Sequence, residues 1–124
     1  METIVAVCPD LFFAVKITEG ARRSGHEVKF ARSLGQAADL VRSTGVVLLV
    51  ADLQCKEIDT LALARQLRSE PALASVALLG FVPHVQEDLR QAALSAGFDK
   101  VVARSTFSDK AAGLLSETRR RETA

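Results

Sequence analysis

Five short apolar runs alternate with five stretches of helical periodicity along 124 residues, and this alternation narrows the fold more than any single motif does. The runs are Thr3 to Val7, Glu27 to Ala31, Val46 to Ala51, Val76 to Phe81 and Lys100 to Ala103. The first, third and fourth lack polar alternation, as expected of parallel strands covered on both faces. The second alternates, which puts it at an edge, and the short fifth is the candidate for the other edge. Right-handed crossovers then force helices onto both faces of one parallel sheet. The expected strand order is 2-1-3-4-5, with the switch point between strands one and three, and ligands in such sheets bind outside the carboxyl ends of the strands at that point.

The helical stretches carry their own punctuation. In the first, Phe13, Ile17, Gly20 and Ala21 share a face, and Ser24-Gly25 supplies the stop. In the second, Ser33 and Gln36 form a capping box before Leu34, Ala37, Ala38 and Val41, and Ser43-Thr44-Gly45 ends it. The third starts with Asp59 as N-cap, carries Leu63, Ala64 and Leu67 inward, and stops by Pro71. The fourth runs from about Val85 through Leu89, Ala92, Ala93 and Ala96 to a Gly97 cap. The fifth starts with Ser108 as N-cap and buries Ala111, Leu114 and Leu115.

Length and composition exclude several classes. A 124-residue chain with 48% hydrophobic and 25% charged residues is expected to form one domain over residues 1–124 with one substantial core. A formal charge of +1 argues against a broad nucleic-acid surface, and the absence of Trp and Tyr removes the usual stacking anchors. Arg119-Arg120-Arg121 reads as a solvated helix end. No apolar stretch reaches the roughly 18 residues of a membrane span, and no basic region precedes the first apolar run, so a cytoplasmic location is expected. Cys8 and Cys55 are expected to remain thiols.

Two carboxylates come to the mouth of this fold. Asp52 ends the run Val46-Val47-Leu48-Leu49-Val50-Ala51, and Asp10 follows Cys8-Pro9 at the end of the first strand. Asp10 reads first as an N-cap for the helix beginning Leu11-Phe12-Phe13. Asp52 has a structural reading too, as a carboxylate accepting backbone or Arg104 hydrogen bonds at a turn.

Over essentially its whole length the chain resembles the receiver domain of two-component response regulators, of the chemotaxis receiver type. The likeness rests on the alternation, on the apolar strand that ends in Asp52, and on Ala96-Gly97-Phe98-Asp99-Lys100-Val101-Val102, which looks like the helix-turn-strand segment before that family's lysine. It implies a flavodoxin-like, doubly wound (βα)5 sandwich with a five-stranded parallel sheet. Receivers of this family phosphorylate themselves on an Asp from a phosphohistidine or a small phosphodonor. Mg²⁺ is held by that Asp, a backbone carbonyl and acids at the end of strand one, while a Ser/Thr and a Lys bind the phosphoryl oxygens.

Carried over by position, Asp52 matches the phosphoacceptor, and Cys8 and Pro9 take the places of the acidic pair. Gly80 (or Phe81) falls where the hydroxyl belongs, Arg104 replaces the Lys, and Ser105 the Pro that usually follows it. A thiol and a prolyl ring do not supply the hard oxygen ligands of Mg²⁺, and an arginine fork is not interchangeable with an ammonium. The expectation is an atypical receiver, or pseudo-receiver, that is not an enzyme, needs no cofactor and works through protein contacts with a histidine kinase or an output protein. The alternative is a phosphorylatable receiver that uses Asp52 and Mg²⁺, with Asp10 and Arg104 as substitutes.

Other constellations are weaker. Cys8, Cys55, Asp52 and His84 follow or end strands at one sheet edge, but no ligand spacing supports a zinc site. A nucleophilic Cys8 has no nearby histidine in sequence, and Asp52 beside it would raise its pKa. His26 reads as a cap or a solvent-facing ring. A ligand-binding domain or enzyme using the same crevice lacks a glycine-rich loop after strand one. Phe81, Val82, Pro83 and Phe107 are expected to form an exposed apolar patch on the face made by the fourth helix, fifth strand and fifth helix, a surface for a homodimer or output contact; Phe107 reads equally as a staple for the last helix.

Overall fold

The computed structural model describes residues 2–43 and 45–120, and the elements follow the alternation of the sequence. They are β1 (Thr3–Val7), α1 (Leu11–Arg23), β2 (Glu27–Phe30), α2 (Leu34–Val41), β3 (Val46–Asp52), α3 (Thr60–Arg68), β4 (Ala77–Val82), α4 (Glu87–Ala96), β5 (Lys100–Ala103) and α5 (Arg104–Glu117), with a short 3-10 turn at Pro71–Leu73. All neighbouring strands are parallel and the sheet order is β2-β1-β3-β4-β5. This is the doubly wound, flavodoxin-like arrangement.

The strands separate two apolar layers. On one face Ile4, Ala6, Leu48, Val50, Leu79 and Phe81 pack with Phe13, Ile17 and Ala21 of α1 and Phe107, Leu114 and Leu115 of α5. On the other, Val5, Val7, Leu49, Ala51 and Leu78 pack under α2, α3 and α4. The stripe Phe13, Ile17, Gly20 and Ala21 is the buried face of α1, and Gly20 is small because a Cβ there would lie 2.8 Å from Ala111 Cβ of α5. At the opposite end of the sheet from the candidate site, the buried Asp99 carboxylate pairs with Arg68 Nη2 and Arg120 Nη1, each at 2.9 Å, and accepts the Leu78 N–H at 2.8 Å. Arg68 also donates to the carbonyls of Gly97 and Val76. Gly97 ends α4 at φ +126°, and a side chain there would collide with Arg68.

Several expectations need correction. Helix α5 begins at Arg104, not at Ser108, because β5 passes directly into it with Ala103 extended as the cap; the Ser108-Asp109 signal marks a kink at Lys110 instead. Helix α4 begins at Glu87 rather than Val85, and Ala92 faces water while Ala93 and Ala96 are buried. Gln36 accepts the N–H of Arg32 rather than that of Ser33, although Ser33 caps α2 as expected. His26 is held between Ser24 Oγ and Glu2 Oε1, not turned to solvent. The expected apolar patch does not form: Phe81, Val82 and Phe107 are in the core and only Pro83 is exposed. Phe13, Phe81 and Phe107 pack as an aromatic triad with centroids 4.5–5.6 Å apart, a long-range contact that burial favours over exposure. The helix-two stop at Thr44 and the tail residue Arg121 lie outside the described residues.

Candidate functional site

The carboxyl ends of β1 and β3, the first turn of α1 and the start of α5 converge on one small polar cluster. Asp10 caps α1: its Oδ1 accepts the N–H groups of Phe12 (2.9 Å) and Phe13 (3.2 Å). Such a cap contributes about 0.5–2 kcal/mol and fixes where the helix starts. Asp52, 7% exposed, turns its Oδ1 to the Gln54 N–H at 2.9 Å. Arg104, the first residue of α5, reaches both remaining oxygens, with Nη1 3.3 Å from Asp10 Oδ2 and Nη2 3.3 Å from Asp52 Oδ2.

These are long contacts for charge-assisted hydrogen bonds, so the cluster is held as much by packing as by pairing. The guanidinium carbon lies 4.9 Å from the Phe13 centroid and 5.7 Å from that of Phe81, over the aromatic triad. Arg104 Nε is buried without an acceptor among the described residues. Burial pushes the Cys8 thiol up to about 11, with the Asp52 and Asp10 charges adding to the rise; its Sγ donates to the Asp10 carbonyl at 3.6 Å. Cys8 is therefore a protonated core residue at neutral pH rather than a nucleophile.

The structure thus brings Cys8, Asp10, Asp52 and Arg104 together, with Pro9 exposed at the rim. Gly80 stands apart from them. It pairs in register with Ala51, and a Cβ on it would meet the Leu53 side chain at 2.8–2.9 Å, so Leu53 fills the volume a side chain would need. Phe81 is the register partner of Asp52, and its ring belongs to the aromatic triad. Neither position offers a hydroxyl. His84 is exposed, and among the described residues no three His, Cys, Asp or Glu side chains converge on a point that would hold a metal.

The donor set does not fit Mg²⁺. That ion requires near-octahedral oxygen ligands. Here Asp10 Oδ1 accepts two backbone N–H groups and Asp52 Oδ1 one, the other oxygen of each faces a guanidinium, and the positions after β1 hold a thiol and a prolyl ring. A cation at the Oδ2 atoms would compete with Arg104 for both.

Sequence reasoning did not find the Arg68–Asp99–Arg120 network, because its members lie far apart in the chain. It also gave Leu11 and Val15 no role and offered Phe12 as a filler of the Asp52 pocket, whereas all three are exposed apolar residues of α1 that fall off its buried stripe.

No protein-family model and no curated protein matches this chain. Solved structures do. A chemotaxis protein of Vibrio cholerae superposes with a TM-score of 0.82 at 12% identity, over 95% of this chain and 98% of that one. A response regulator of red light signalling in R. palustris gives 0.77 at 13%, over 98% and 100%, and a response regulator from Thermotoga maritima gives 0.78 at 18%, over 94% and 96%. At such identities the likeness is one of fold: the chain has the fold of response-regulator receiver domains.

Proposed function

We propose that residues 1–124 form a single pseudo-receiver domain, a cytoplasmic signalling module that keeps the receiver fold, has lost Mg²⁺-dependent aspartyl phosphorylation and acts by contacting a protein such as a histidine kinase or an output protein. The observation that carries this reading is Arg104, whose guanidinium occupies the free oxygens of both Asp52 and Asp10 at 3.3 Å. An internal cation here neutralises the carboxylates in the way a metal would, but it brings no open coordination position for a phosphoryl oxygen. Without such an ion, charge on a phosphoryl group in transfer is poorly offset. Gly80 and Phe81 add no hydroxyl to receive it.

A Mg²⁺ titration of the ¹⁵N-labelled chain tests the reading. The account expects no saturable shift at the Asp52 and Gln54 amides. Saturable binding that disappears in Asp52→Asn would favour the phosphorylatable alternative.

A further inference from the structure

Strand β2 is the last in the sheet on its side, so its outer edge is open. Glu27 and Ala31 give their N–H groups to the carbonyls of Glu2 and Ala6 on the β1 side, at 3.0 and 2.9 Å. Backbone groups point alternately to the two sides of a strand, so Val28 and Phe30 turn their N–H and C=O groups outward, where no strand receives them. The side chains follow the same period. Val28 and Phe30 pack against the core layer of α1 and α5, whereas Glu27 and Lys29 stand in water on the other face, and neither makes an ion pair among the described residues.

Both patterns agree on one arrangement. We infer that β2 is a homodimer edge: a second copy of β2 runs antiparallel beside the first about a two-fold axis at Val28, joining the two sheets into one. The two Val28 residues then form a hydrogen-bonded pair, each giving its outward N–H to the outward C=O of the other. Glu27 of each copy stands opposite Lys29 of the other, in the non-hydrogen-bonded pairs where side chains come closest. A closed two-fold interface must meet itself, and Glu27-Val28-Lys29 is its own complement in this register. A foreign strand would have to carry the same code of acid, apolar residue and base. A lone edge lysine keeps strands apart, but the acid two residues before it answers it here. The opposite edge, β5, reads Lys100-Val101-Val102-Ala103 and holds no acid to answer its lysine in any antiparallel self-pairing of the strand. The contact lies away from Asp52 and Arg104 and does not depend on the reading of that site.

Sedimentation equilibrium of the full chain, from about 10 μM to about 1 mM, tests it. The native protein is expected to pass from monomer to dimer. Glu27→Lys and Lys29→Glu each set like charges opposite one another in both pairs, and each is expected to weaken self-association about tenfold. An equimolar mixture of these two variants is expected to dimerise as the native chain does, and so is the double variant that exchanges the two charges. Both positions are exposed, so the melting temperatures should stay unchanged. A native chain that remains monomeric throughout overturns the inference, as does a dimer of native strength in both single variants or a mixture that associates no better than its components. Neither Mg²⁺ nor a phosphodonor enters this measurement, so its failure leaves the reading of Asp52 to its own test.

Discussion

Arg104 lies 3.3 Å from Asp52 through one guanidinium nitrogen while the other nitrogen contacts Asp10, so a residue at the start of α5 ties the ends of β1 and β3 together. Planar geometry fixes the spread of the fork's donors so that it spans two carboxylates at once, whereas an ammonium is a compact point charge with no such fixed spread.

Arg104→Ala should therefore lower stability by about 1–3 kcal/mol, since it leaves the largely buried Asp52 with a single backbone donor and uncovers the aromatic triad. Arg104→Lys should fall between the two. Urea unfolding followed by far-ultraviolet circular dichroism measures both, and a native-like midpoint in Arg104→Ala would show that the clamp contributes nothing.

Restoring a hydroxyl at Gly80 should fail for steric reasons. Gly80→Ser places a Cβ within 2.9 Å of three Leu53 carbons. Overpacking of this kind costs about 1–3 kcal/mol. In a double-mutant cycle with Leu53→Ala, the two changes should couple favourably, because the truncation opens the space the serine needs. Additive losses would place the strain elsewhere.

Cys8 makes stability depend on alkaline pH. Its folded value is about 11 against an ordinary 9.0, so the native state holds the proton more tightly than the unfolded chain does. That contribution is fully present below pH 9.0 and fades as pH rises toward about 11, by on the order of 3 kcal/mol at most. Cys8→Ala should flatten the decline over this window. At neutral pH a thiol reagent should label the half-buried Cys55 first and reach Cys8 only on unfolding.

Asp99 is a buried carboxylate held by Arg68 and Arg120. Burial also draws the Arg68 pKa down, against the opposing pull of Asp99. Arg68→Ala should cost about 1–3 kcal/mol, because the buried carboxylate loses one of its two cations while keeping Arg120 and the Leu78 N–H, and Asp99→Asn combined with it should recover part of the loss. Thermal unfolding of the single and double variants gives the comparison.

The strands and the α1 stripe were legible because burial on both faces writes continuous apolar runs and one-sided burial writes a 3.6-residue period. Asp59 and Ser33 were legible as caps because their hydrogen bonds are local. What the sequence concealed was non-local. Leu53 filling the space over Gly80, Phe107 reaching Phe13 and Phe81, and Asp99 meeting Arg68 across 31 positions leave no pattern in a window of residues. The start of α5 was misread because Ala103 caps it without a side-chain signal while Ser108-Asp109 offers a false one. At the site, Asp10 was readable as a cap and Asp52 as a partner of Arg104, but not that one guanidinium would hold both.

The most direct test of the central claim is the intact mass of the chain after incubation with Mg²⁺ and a small acyl phosphate. The account predicts an unmodified mass for the native protein and for Asp52→Asn alike. A phosphoryl adduct on the native chain that is absent from Asp52→Asn would contradict it, and would make Asp52 a working phosphoacceptor despite the clamp of Arg104.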